Sequence, residues 1–176
     1  MKLLYIVMLF PFLSCSSQTK LKIETILSAP AIVTVQNAET GRTYSQSRYV
    51  TQTARLEHAI LMQSQSDKQL IFLLQGNIVS AGLSINKVKK IRFEKAEQIG
   101  DSITLKYYVE IVNIGGKESA TVAGYNYSKE ESYKIPKDVK AIKIELYEDR
   151  IKQRTGSKIP KLKLVAEQTV DLSTQN

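Results

Sequence analysis

The sequence predicts a mainly β protein: a single antiparallel β-sandwich or partly open barrel, with room for one short helix near residues 54–64. Three observations carry this. Apolar and polar residues alternate strictly along several stretches, the signature of half-buried strands. Glycine, proline and asparagine punctuate the intervals between them. No linker rich in Pro, Gly or Ser and no internal repeat divides residues 21–176, which read as one domain large enough for its own core.

In chain order, "LKIETIL" and "AIVTVQ" read as strands, followed by the turn-like "NAETG". "TARLEHAILMQSQ" is ambiguous. Leu56, Ala59, Ile60 and Gln63 fit helical spacing, whereas Leu56, His58, Ile60 and Met62 fit a strand; the strong helix formers favour a short helix. "QLIFLLQG" is a continuous apolar run, expected to be a buried central strand ending at Gly76. In "ITLKYYVEIV" the odd-numbered positions from Ile103 to Ile111 are apolar or aromatic and face one way. Gly115-Gly116 supplies the positive φ of a tight hairpin, so "SATVAGYNY" is expected to be the returning strand. "AIKIELYE" and "KLKLVAEQTVDL" alternate again, the latter with Leu162, Leu164, Ala166, Val170 and Leu172, around the polar loop "DRIKQRTGSKIP". Strands following one another at short intervals favour a sandwich or barrel over a layered α/β fold.

The amino terminus reads differently. One charge, Lys2, precedes an apolar run from Leu3 to Leu13 that is shorter than the roughly 20 residues a spanning helix needs. It has the length and flanks of a signal-peptide apolar region. Ser14 precedes Cys15, the only cysteine, and Ser16 to Lys20 forms a polar tether. This arrangement resembles bacterial lipoprotein signal peptides, although Phe12 and Leu13 stand where an aliphatic and a small residue are usual. The resemblance implies removal of residues 1–14, lipidation of Cys15, and residues 15–20 as anchor and tether. Stable anchoring takes about two acyl chains, which a lipidated terminal cysteine supplies. Ser16 after the cysteine, and the lack of acidic residues before Glu24, resemble lipoproteins sorted to the outer membrane and facing the periplasm.

Little in the chain points to catalysis. His58 is the only histidine and sits among apolar residues, which reads as a structural role. No phosphate-binding glycine loop appears, and the histidine and cysteine count excludes a zinc site of the usual kind, so neither cofactor nor metal is expected. The paired acids Glu130-Glu131 and Glu148-Asp149 are neighbours in strands and point to opposite faces. The formal charge is +8, concentrated late: residues 134–163 hold ten Lys or Arg against four Asp or Glu. Within and beside that segment, Tyr125, Tyr127, Tyr133, Lys137, Lys140, Arg150, Lys152, Arg154 and Lys158 are the candidate partner-binding residues. Such a surface suits an envelope or secreted protein, or anionic glycan or lipid headgroups. The same lysines would also serve simply to keep strand edges soluble. Nucleic acid does not suit an exported chain.

From Gln69 onward the order of an apolar strand closing on Gly76, the turn from Gly76 to Ile85 and the late Ile135-Pro136-Lys137 resembles the carboxy-terminal domain of PrcB-type lipoproteins. Ser80-Ala81-Gly82-Leu83 stands where that family usually has Thr-Gly-Gly-Tyr. The resemblance implies a non-catalytic accessory subunit of an exported protease complex. Three functions therefore stand at this point. They are a membrane-anchored, non-enzymatic protein-binding module, a structural part of a secretion or envelope machine, and a glycan hydrolase using Glu130 or Glu148.

Overall fold

The computed structural model describes residues 19–82, 84–94, 96–151 and 161–173. The segment expected to be a signal peptide, Cys15, and the basic residues Lys152, Arg154 and Lys158 lie outside the described residues. Among the described residues there are ten strands: β1 (Lys22–Gln36), β2 (Thr43–Thr51), β3 (Ala59–Gln65), β4 (Gln69–Val79), β5 (Asn86–Phe93), β6 (Glu97–Ile99), β7 (Ser102–Asn113), β8 (Val122–Lys134), β9 (Ala141–Ile151) and β10 (Lys161–Asp171). They form two sheets. The first runs β2-β1-β8-β4-β3 and is antiparallel throughout; the second runs β10-β9-β7-β5, with β6 pairing β7 past the end of β5. The sequence-predicted mainly β sandwich is the fold observed.

One core fills the space between the sheets. Alternate residues of β4 (Leu70, Phe72, Leu74, Ile78) meet alternate residues of β7 (Ile103 to Ile111) and of β9 (Ile142, Ile144, Leu146). The run "QLIFLLQG" is thus an alternating strand. Its odd-numbered residues Ile71 and Leu73 lie on the other face, half-buried, and it continues through Gly76 to Val79.

The short helix considered for residues 54–64 does not form. Residues 59–65 are β3, with Ile60 opposite Leu74 and Met62 opposite Phe72 on the core side. Helix propensity differs by only tenths of a kcal/mol per residue, and burying Ile60 and its neighbours against β4 outweighs it. The expected hairpin at Gly115-Gly116 is also replaced. Both glycines have positive φ, but the eight-residue connection carries β8 across to the opposite sheet, where it pairs β1 and β4. Sheets pack about 10 Å apart, a span such a loop covers easily. The vacated side of β7 is taken by β9, in parallel register from Ser102↔Ala141 to Val112↔Ile151.

β1 changes partners along its length. Lys22–Leu27 pairs β8, while Ser28–Gln36 pairs only β2 among the described residues, in nine unbroken steps from Ser28↔Thr51 to Gln36↔Thr43. At about 3.3 Å per residue this second part is a two-stranded arm roughly 30 Å long. Its tip is the expected "NAETG" turn, where the Asn37 side chain accepts from the amides of Glu39 and Thr40.

Candidate partner-binding surfaces

The sequence-predicted surface is dispersed by the fold. Tyr125, Tyr127 and Tyr133 fall on the same side of β8, opposite Ile78, Gly76 and Leu70 of β4, so all three point between the sheets. Tyr127 is 1% exposed and is no contact residue. An aromatic ring buries 150–250 Å², which draws it into the core. Tyr125 is half-buried and donates to Glu118 at 3.1 Å. That carboxyl also accepts from Ser80 at 2.7 Å, and chiefly for that reason sits below its ordinary range. Tyr133 is half-buried and lines a cleft of about 860 Å³ with Tyr107, Phe93, Lys89, Lys129 and Glu131. Lys129 and Glu131 form an ion pair there.

The basic residues divide between the two ends of the sandwich. Lys137 and Lys140 lie on the loop between β8 and β9, in a cleft of about 600 Å³ shared with Asp67, Asp101 and Asp138. Lys140 pairs Asp101 at 3.2 Å. Arg150 lies at the far end of β9, ten residues on, which is roughly 33 Å away. No single patch holds both.

At the Arg150 end is a polar cluster the sequence did not announce. Glu148 faces inward and is only 4% exposed, while Asp149 faces outward. Arg150 donates to Glu148 through Nε and Nη2 at 3.1 and 2.9 Å. His58 Nε2 stands 3.6 Å from the other carboxylate oxygen, and His58 Nδ1 lies 3.1 Å from the Tyr127 hydroxyl. Burial lowers the pKa of His58; Glu148 opposes that shift, while Lys163 and Arg150 add to it. The neutral imidazole therefore accepts from Tyr127 at Nδ1 and turns Nε2–H toward Glu148. Burial, with Glu148 adding to it, pushes the Tyr127 hydroxyl far above the ordinary tyrosine range. Gly76 makes room for the pair: a Cβ there would lie 2.3 Å from His58 Nδ1 and 2.5 Å from Tyr127 Oη.

The other feature missed in the sequence is the outer edge of β2. The two sheets end in four edge strands, β2, β3, β5 and β10, and along the arm the flank of β1 away from β2 is also unpaired among the described residues but holds Pro30, which has no N–H to offer. Three of them carry an extra residue on the edge strand that breaks the pairing: Gln63 in β3, Lys89 in β5 and Val165 in β10. β5 also carries three lysines and β10 two. Bulges and lysines are the usual means by which proteins keep edges from pairing with other chains. β2 has neither. All nine of its residues are exposed, its register with β1 is continuous, and Arg48 is its only charge. Beside it Ile32 is 81% exposed, with Tyr44 and Tyr49 each at least half exposed. Nothing among the described residues pairs its outer edge.

The arm and the amino-terminal entry lie at opposite ends of β1. Thr19 donates to the Glu130 carbonyl and Lys22 pairs Ser128, whereas β1 leaves β8 at Val122 and runs on into the arm. No family model, curated protein or solved structure matches the chain.

Proposed function

We propose that the chain is a lipid-anchored protein of the bacterial envelope that acts without catalysis, docking a protein partner by strand addition at β2. One observation carries the reading: the one edge among the described residues with neither bulge, lysine nor proline, β2, lies on an arm that runs away from Thr19, the first described residue. In strand addition, main-chain hydrogen bonds supply affinity and alternate side chains supply specificity. The arm offers nine residues of open edge. Lipid on Cys15 would hold the amino-terminal end at the membrane and direct the arm outward, with Lys20 and Lys22 near the anionic surface.

The test is affinity capture and cross-linking from native membranes, read by mass spectrometry. A shortened variant joins Pro30 to Tyr49, which are already cross-strand partners, through Asn-Gly in place of residues 31–48. It is expected to melt with the parent and to capture no partner. Cys15→Ala is expected to leave the membrane fraction. A folded, shortened chain that still captures its partner overturns docking at β2.

A further inference from the structure

We propose that β2 pairs with β2 of a second copy of this chain, antiparallel, about a two-fold axis through Ser47. The proposal rests on β2 being the docking edge and goes beyond it by naming the occupant.

The strand reads Thr43-Tyr44-Ser45-Gln46-Ser47-Arg48-Tyr49-Val50-Thr51. It is self-complementary about its centre. With Ser47 opposite Ser47 of the second copy, Thr43 meets Thr51, Tyr44 meets Val50, Ser45 meets Tyr49 and Gln46 meets Arg48. Each pair joins residues of the same parity, so each face of one ribbon continues into the same face of the other. The register within the chain extends the rows. Val35 lies opposite Tyr44 and Ala29 opposite Val50, giving the row Val35-Tyr44-Val50-Ala29 across the four strands, and again on the other side of the axis. Between these apolar rows run two rows of Val33-Gln46-Arg48-Ala31.

The charges agree with this pairing. β2 has no carboxylate to repel or attract, and its one cation faces an amide already suited to it. Arg48 Nε donates to Gln46 Oε1 of its own chain at 2.9 Å. In the pair, the amide of the second copy offers the same acceptor from across the strand. The two arginines are diagonal neighbours, about 7–8 Å apart at the backbone, rather than directly opposed. A two-stranded ribbon is marginal in water, and the pairing extends the arm to four strands with apolar rows on one face. A two-fold contact also closes on itself, so it ends at a dimer and does not grow into fibres.

The experiment uses the full chain with Cys15→Ala, so that engineered thiols stand alone. Sedimentation velocity over rising concentration is expected to show the mass double. Ser47→Cys in this background is expected to form a disulfide dimer on mild oxidation, because directly opposed residues lie about 4.5–5.5 Å apart at Cα, inside the disulfide range. Thr43→Cys serves as the control. Its copies would be eight residues out of step, roughly 26 Å apart, and should cross-link at least tenfold more slowly. Mixing Thr43→Cys with Thr51→Cys is expected to restore rapid cross-linking.

A monomer at every concentration, or Ser47→Cys cross-linking no faster than Thr43→Cys, overturns the proposal. If the chain is monomeric but arm shortening still abolishes partner capture, β2 docks a different protein and only the homotypic pairing falls. If shortening changes neither mass nor capture, both readings fall.

Discussion

Replacing Gly76 by Ala tests whether the His58–Tyr127 pair is a fixed part of the core. The new methyl would sit about 1 Å inside ordinary contact with His58 Nδ1 and the Tyr127 hydroxyl. Tyr127 lies between the sheets at 1% exposure and has nowhere to go, so the partly exposed imidazole must swing outward. That leaves the buried Tyr127 hydroxyl without its partner, at about 1–3 kcal/mol. Residual overpacking against the ring costs another ~1–3 kcal/mol. Removing a glycine from a strand interior returns about 0.5–1 kcal/mol. The net is a loss of roughly 1–5 kcal/mol, which for a chain of this size lowers Tm by about 2–20 °C. Urea and thermal unfolding of Gly76→Ala, His58→Ala and the double variant give the answer. Because His58→Ala vacates the space, the double variant should be less destabilised than the sum of the singles, by about 1 kcal/mol or more. Additive losses, or a Gly76→Ala variant within about 0.5 kcal/mol of the parent, would refute the packing argument.

Two further outcomes are expected. The folded pKa of His58 lies below its ordinary 6.5. The unfolded chain therefore takes up this proton first on acidification, so the stability held above 6.5 is lost as pH falls from there through the folded pKa. Urea midpoints measured between about pH 8 and pH 5 should show this decline, and His58→Gln should flatten it; an equal slope in both proteins rejects the assignment. Gly124 has φ +147°, and a Cβ there would lie 2.1 Å from the Ile78 carbonyl oxygen, where β1, β8 and β4 meet. Gly124→Ala should lose about 3–5 kcal/mol in chemical denaturation, and a loss under about 1 kcal/mol would show that the backbone relaxes.

What the sequence made readable follows from where a single period held. Ile103 to Ile111 and Ile142 to Leu146 alternate without interruption, and both are core strands as expected. The "DRIKQRTGSKIP" interval does separate two paired strands, β9 and β10. The reading failed where a bulge changes the parity. Leu162, Leu164, Ala166 and Val170 were expected on one face, but the extra residue Val165 puts Leu162 and Leu164 on the outer face and Ala166 and Val170 on the inner. Gln63 has the same effect in β3, and helped residues 56–63 imitate a helix. The candidate surface was less legible than the fold. Tyr127 was grouped with exposed tyrosines because nothing local shows that Gly76 lies across from it. The alternation of Glu148 and Asp149 shows that they face opposite ways, but not that Glu148 is the inward one, set against His58 ninety residues earlier in the chain.

The parallel contact between β7 and β9 sets the order in which the molecule can be assembled. β5 and β7 form a local antiparallel pair, but the other flank of β7 waits for a strand that follows only after β8 has been laid into the opposite sheet. Closing that contact requires the intervening chain to be ordered first, and such non-local pairings slow folding. A chain emerging amino-terminus first thus carries an unpaired backbone flank along β7, from Ser102 to Val112, until β9 arrives. The carboxy-terminal hairpin of β9 and β10 is the lid that ends this exposure, so truncations there should send the protein to aggregates before they alter any surface it presents when folded.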